Sequence, residues 1–182
     1  FEKQEKFIKT LIGQRIKGII LFSTNDTYDK SSFLEQYIKK VPFVLADREL
    51  AVDTAGVFIS NYKSAYNAVK LSVDRGHREV AIITGPLTEK NSCERLRGYK
   101  DALLKNNIDI NEEYIYEGDF KTDSGYKNAE KIYKNKKITS VFISNNLMAL
   151  GFIKFAYEKN WKIPDEISVF SFEKIEIIDY LN

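Results

Sequence analysis

A chain of 182 residues with 43% hydrophobic and 30% charged side chains has the make-up of a globular protein, neither disordered nor membrane-spanning. A net charge of +2 excludes the strongly basic character of a nucleic-acid-binding module. A single cysteine, Cys93, excludes an intrachain disulfide and suits a reducing compartment.

In chain order, Phe7, Ile8, Leu11 and Ile12 recur at helical spacing, and Gly13 predicts where that helix stops. Ile16–Phe22 reads as a near-continuous apolar strand. Phe33, Leu34, Tyr37 and Ile38 predict a second amphipathic helix after the cap candidates Ser31 and Ser32. Pro42 introduces a short strand, Phe43–Ala46, that ends at Asp47 and Arg48, and Val57–Ile59 reads as another. From Asn61 a second unit begins. Ala65, Tyr66, Val69 and Val73 line one helical face, and Gly76 supplies a C-cap. Strand Glu79–Thr84, the polar loop Gly85–Ser92 and a helix marked by Leu96, Tyr99 and Leu103 follow. Next come strand Tyr114–Tyr116, a helix through Tyr126, Ala129, Glu130 and Tyr133, and strand Ile138–Ser144. Helix Leu147–Lys159 and strand Ile167–Ser171 complete the alternation. The apolar runs have strand length, well short of the roughly 18 residues a bilayer span needs. Phe1–Lys6 is charged and helix-like, so no signal peptide is expected.

Solid apolar strands separated by amphipathic helices predict an α/β fold whose parallel sheets are covered on both faces. The conspicuous polar residues fall just past the carboxyl ends of those strands: Asp47 and Arg48, the loop of residues 85–95, Asp119 and Phe120, Asn145 and Asn146, and Glu173. In open parallel sheets that edge is where ligands bind.

Catalytic equipment is scarce. His77, the sole histidine, follows Gly76 and is expected to interact with the last carbonyls of a helix. Cys93 sits near a helix start, where a thiol's pKa can fall, but is expected to be a packing thiol. Neither G-x-x-x-x-G-K-[ST] nor G-x-G-x-x-G occurs, and no His/Cys/carboxylate cluster has metal-binding spacing. Glu112 with Glu113, Asp26 with Asp29, and the short lysine runs at residues 39–40 and 134–137 are expected to be solvated. The sequence predicts no enzyme, no cofactor and no metal.

Six segments in order resemble the effector domain of the lactose/galactose-repressor (LacI/GalR) family of bacterial regulators. They are Arg15–Leu21; Val41–Arg48; Gly76-His77-Arg78 with Val80–Pro86; Glu94-Arg95-Leu96-Arg97-Gly98-Tyr99; Asn145–Gly151; and Ile163–Val169. The resemblance implies two Rossmann-like parallel-sheet lobes of the periplasmic binding protein-like I type, with an effector in the cleft between them. Residues 1–60 would be part of an incomplete first lobe and 61–182 most of the second, with a helix-turn-helix head outside this sequence. Two main strands and two helices up to residue 46 are too few to bury both faces of a sheet, so unpaired edges or apolar faces are expected in the first lobe. It also implies a cytoplasmic homodimer, no membrane association, and a small-molecule effector, expected to be a sugar or sugar phosphate, that modulates binding to operator DNA. A periplasmic sugar-binding protein of the same architecture is the alternative.

Carried over residue by residue, the resemblance implies a ligand-binding set of Asp47, Asn91, Arg95, Phe120, Asn145 and Glu173. Arg95 would supply a rigid fork of donors; Asp47 and Glu173 would accept from hydroxyls; Asn145 would do both; Phe120 would cover an apolar ligand face. Structural readings stand beside these: a helix cap for Asn145, core packing for Phe120, a surface ion pair with Glu94 or Asp101 for Arg95. The chain departs from the family at Ser171-Phe172-Glu173-Lys174, where the family has G-[FY]-D-D, at Asn146 in place of Asp, and at Ser60-Asn61 in place of Asp-Asn.

Overall fold

The computed structural model describes residues 2–23 and 31–175. The chain divides into two compact units, Phe1–Ile59 and Ser60–Asn182.

In the first unit, helix α1 (Glu2–Gly13) precedes strand β1 (Ile19–Phe22), a short helix α2 (Glu35–Ile38) follows one 3-10 turn, and strands β2 (Phe43–Asp47) and β3 (Ala55–Phe58) come last. The strands form a parallel sheet in the order β1-β2-β3. β1 starts three residues later than the apolar run does: Arg15 takes a left-handed conformation, φ 54°, in the turn leaving α1, and residues 16–18 lead from that turn into the strand. β3 begins before Val57 and stops before Ile59. Alternation along the strands buries Ile19, Leu21, Phe43 and Leu45 against Ile8, Leu34 and Tyr37. Ile20, Phe22 and Val57 remain more than 70% exposed. The expected open apolar sheet face is therefore present. Asp26 and Asp29 lie outside the described residues.

In the second unit the elements are α3 (Asn61–Asp74), β4 (Val80–Thr84), α4 (Lys90–Leu104), β5 (Ile115–Glu117), α5 (Thr122–Lys134), β6 (Ser140–Ile143), α6 (Asn146–Glu158) and β7 (Ser168–Ser171). The strands are all parallel, in the order β5-β4-β6-β7. β4 and β6 are buried along their whole length, as central strands covered on two faces should be. On one face Val80, Ile82 and Phe142 pack with Ala65, Val69 and Tyr99 of α3 and α4. On the other, Ile83, Val141 and Ile143 pack with Ile132, Met148 and Phe152 of α5 and α6. The α5–α6 pair is close: a Cβ placed on Gly151 would stand 1.9 Å from the carbonyl oxygen of Thr122.

Two local expectations are corrected. The backbone N–H of His77 closes α3 onto the carbonyl of Ser72, but its ring does not reach the helix. Nδ1 shares a 2.9 Å hydrogen bond with Thr139 Oγ1, at the foot of the neighbouring strand β6. Cys93 is exposed rather than packed. The buried stripe of α4 runs through Ser92, Arg95, Tyr99 and Leu103, so position 93 turns outward and its Sγ–H donates to the carbonyl of Leu87.

Candidate functional site at the carboxyl edge of the second sheet

β4 is followed by α4 on one face of the sheet, whereas β6 is followed by α6 on the other. The connections thus diverge between two adjacent strands. In open α/β sheets such a divergence marks the place, at the carboxyl ends of the strands, where ligands bind.

Arg95 reaches this edge of the sheet from α4 and is only 6% exposed. Its Nε donates to Asn61 Oδ1 at 2.8 Å, and Nη1 donates to the carbonyl of Ser144. The guanidinium lies 3.7 Å from the centroid of the Phe172 ring, close enough for a cation–π contact. Neither Glu94 nor Asp101 pairs with it: Glu94 lies 3.9 Å from Arg97, and Asp101 accepts from the Tyr62 hydroxyl at 2.8 Å. A buried guanidinium with this many fixed partners is an organised part of the fold.

Asn145 follows β6 and caps α6, its Oδ1 accepting from Met148 N at 3.0 Å. Its Nδ2 donates to the carbonyl of Phe120 at 3.0 Å. Capping and holding the neighbouring loop are therefore done by one side chain. Phe120 stands in the left-handed region, φ 64°, and its ring lies on Gly85 at the end of β4, where a Cβ would come within 2.1 Å of it. It is half-buried, packed at the rim of the core rather than within it. The preceding Asp119 ties the loop down by accepting from Lys121 N at 3.0 Å. The Ser124 hydroxyl, then the Lys121 amide, hold its carboxyl below the usual carboxylate range.

Glu173 is exposed, and its Oε2 accepts from the backbone N of Asn146 at 3.3 Å. Asn91 is half-buried at the second position of α4. Arg95, Phe120, Asn145 and Glu173 are thus joined into one chain of contacts through Ser144, Phe172 and Asn146. Asp47 ends β2 of the other unit, half-buried and at φ 68°. The residues that sequence reasoning missed are Asn61, Ser144 and Phe172, which hold Arg95. Phe172 and Ser144 had a signal in their position, each next to a candidate at a strand end. An open hollow of about 310 Å³ lined by Ile153, Ile163, Val169, Ser171 and Glu173 lies beside β7, away from Arg95 and Phe120. Among the described residues no cluster of His, Cys, Asp or Glu is arranged to hold a metal, and no helix is long and apolar enough to cross a membrane.

Residues 69–182 match the family of periplasmic binding protein-like domains. The chain belongs to that family. Its form is that of the effector-binding domain of LacI-family regulators. An Escherichia coli sugar-binding transcriptional regulator of the LacI family, solved with phosphate, superimposes with a TM-score of 0.84 at 28% identity, over 98% of this chain and 65% of the other. The Escherichia coli repressor ascG superimposes with a TM-score of 0.83 at 29% identity, over 98% and 66%. The HTH-type transcriptional repressor PurR of Vibrio cholerae (strain M66-2) is 32% identical over all of this chain and 54% of its own length. The effector-binding domain therefore spans about half the length of the curated relatives it matches. Those relatives are named as repressors and not as enzymes, in line with the expectation from the sequence.

Proposed function

We propose that the chain senses a small polar effector, a sugar or sugar phosphate, on behalf of a cytoplasmic, homodimeric transcription regulator that meets its operator through a helix-turn-helix head. The contact chain Arg95–Ser144–Asn145–Phe120 with Phe172 and Glu173 carries this reading. It gathers a planar donor fork, a carboxylate, an amide and an aromatic ring where the strand connections diverge. A sugar withdrawn from water needs directional partners for its hydroxyls and a ring for its C–H face. Asn91 adds an amide on the same helix as Arg95. The sugar is supported by two relatives: the phosphate-bound regulator is named as sugar-binding, and a regulator solved with cellobiose, CelR, has a TM-score of 0.73 at 28% identity. Effector binding then shifts the population between two states of the regulator by its differential affinity for them.

Calorimetric titration of the complete effector domain with pentoses, hexoses, their phosphates and purines tests the reading. Arg95→Ala is expected to weaken binding by about 1.5–3 kcal/mol, and it also costs stability because it removes the buried hydrogen bonds to Asn61 and Ser144. Glu173→Gln separates the two effects: an amide oxygen still accepts from Asn146 N, while the charge that a sugar hydroxyl would meet is gone. An unchanged dissociation constant in both variants removes them from the site, and binding of purines alone rejects the sugar.

A further inference from the structure

Among the described residues, five buried side-chain hydroxyls have no hydrogen-bond partner: Ser23, Thr84, Ser92, Ser144 and Ser171. Four stand at or one residue past the carboxyl end of a strand, and Ser92 is in the first turn of α4. Three of them share one place. Strand alternation puts Thr84 on the face of Val80 and Ile82, and Ser144 on the face of Phe142; those three apolar residues pack beneath α3 and α4. The hydrogen bond from Ser144 N to Ile83 O, 2.9 Å, sets Ser144 beside Thr84. Ser92 lies one turn before Arg95 on the buried stripe of α4, and Arg95 reaches the carbonyl of Ser144. The three residues therefore lie at one end of this helix–sheet interface, where Arg95 meets Ser144, and all three are 0% exposed.

The opposite end of this helix–sheet interface behaves differently. There Ser72 and Ser140, equally buried, hydrogen-bond to each other at 2.7 Å. A hydroxyl shut away from water without a partner forfeits the whole of its solvation, and alanine or valine would fill nearly the same space at no such cost. One internal water satisfies two to four polar groups at once.

We propose that Thr84, Ser92 and Ser144 form a binding site for an internal water molecule. This water ties the ends of β4 and β6 to the first turn of α4, the mountings of Asn145 and Arg95. Its bearing on ligand affinity rests on the effector reading above; its existence does not.

The experiment is thermal unfolding of Thr84→Val, Ser92→Ala, Ser144→Ala and the pairwise combinations in the full chain without effector, with a high-resolution crystal structure. Ser72→Ala, which breaks a direct hydroxyl pair, calibrates the assay by lowering Tm. With a bridging water, each of the three single variants lowers Tm by about 2–4 °C. The double variants lose less than the sum, since the first deletion already releases the water. The crystal shows one water within hydrogen-bond reach of at least two of the hydroxyls. A rise in Tm overturns the proposal, because deleting an orphaned hydroxyl then relieves the fold. Strictly additive losses, or hydroxyls bonded to each other or to carbonyls with no water between them, overturn it as well. Because no effector enters the measurement, a chain that binds no sugar leaves this result intact.

Discussion

The two units use the same strand chemistry and bury it to different depths. In the second, β4 and β6 are covered on both faces; in the first, β1 alternates buried with exposed and β3 is exposed throughout. Apolar alternation thus places side chains on faces, but only the helices packed on a face turn it into core. Burial, and not hydrophobicity alone, sets what a residue contributes.

The contrast breaks most visibly at Phe142 and Ile20. Phe142→Ala, at a fully buried site, is expected to cost about 3–5 kcal/mol in urea unfolding monitored by circular dichroism. Ile20→Ser, at a side chain 71% exposed, is expected to change stability by no more than about 0.5 kcal/mol. Equal losses at both sites would mean that the first sheet has a cover in solution. A smaller effect is expected at Asn145→Ala, which removes the cap of α6 and the hold on Phe120, about 1–2 kcal/mol. Asn145→Asp keeps the capping acceptor and loses only the donor, so the difference between the two variants measures the hold on the loop. The smallest effect concerns pH. Burial, and then the charge of Arg75, hold the imidazole of His77 below its ordinary range. The folded state disfavours the charged ring. The stability this contributes is complete above the unfolded value of about 6.5 and is lost as pH falls through the depressed folded value. Urea midpoints taken from about pH 7.5 down to about pH 5 should fall across that window, and His77→Asn should flatten the slope there.

Most of the fold was legible, because its strands are apolar runs of sheet length and its helices repeat every three or four residues. The apolar face of the first sheet was legible for the same reason. The edge of the second sheet was half legible. Arg95, Phe120, Asn145 and Glu173 were marked by position and resemblance. Their partners were not: Asn61 precedes Arg95 by 34 residues and Ser144 follows it by 49, separations at which local pattern carries no information. Nor does composition announce a buried arginine, since the cost of burying its charge is offset only by contacts that the fold creates. The extra methylene of Glu173 reads more clearly in the structure, where it lets a carboxylate at a strand end reach the first amide of α6.

One bond has a mechanical meaning. Asn61 opens α3, two residues beyond the boundary between the units, and its side chain is held by Nε of Arg95. The guanidinium is thereby a rivet for the start of α3: the first turn of the second unit and the arginine hold one another in place.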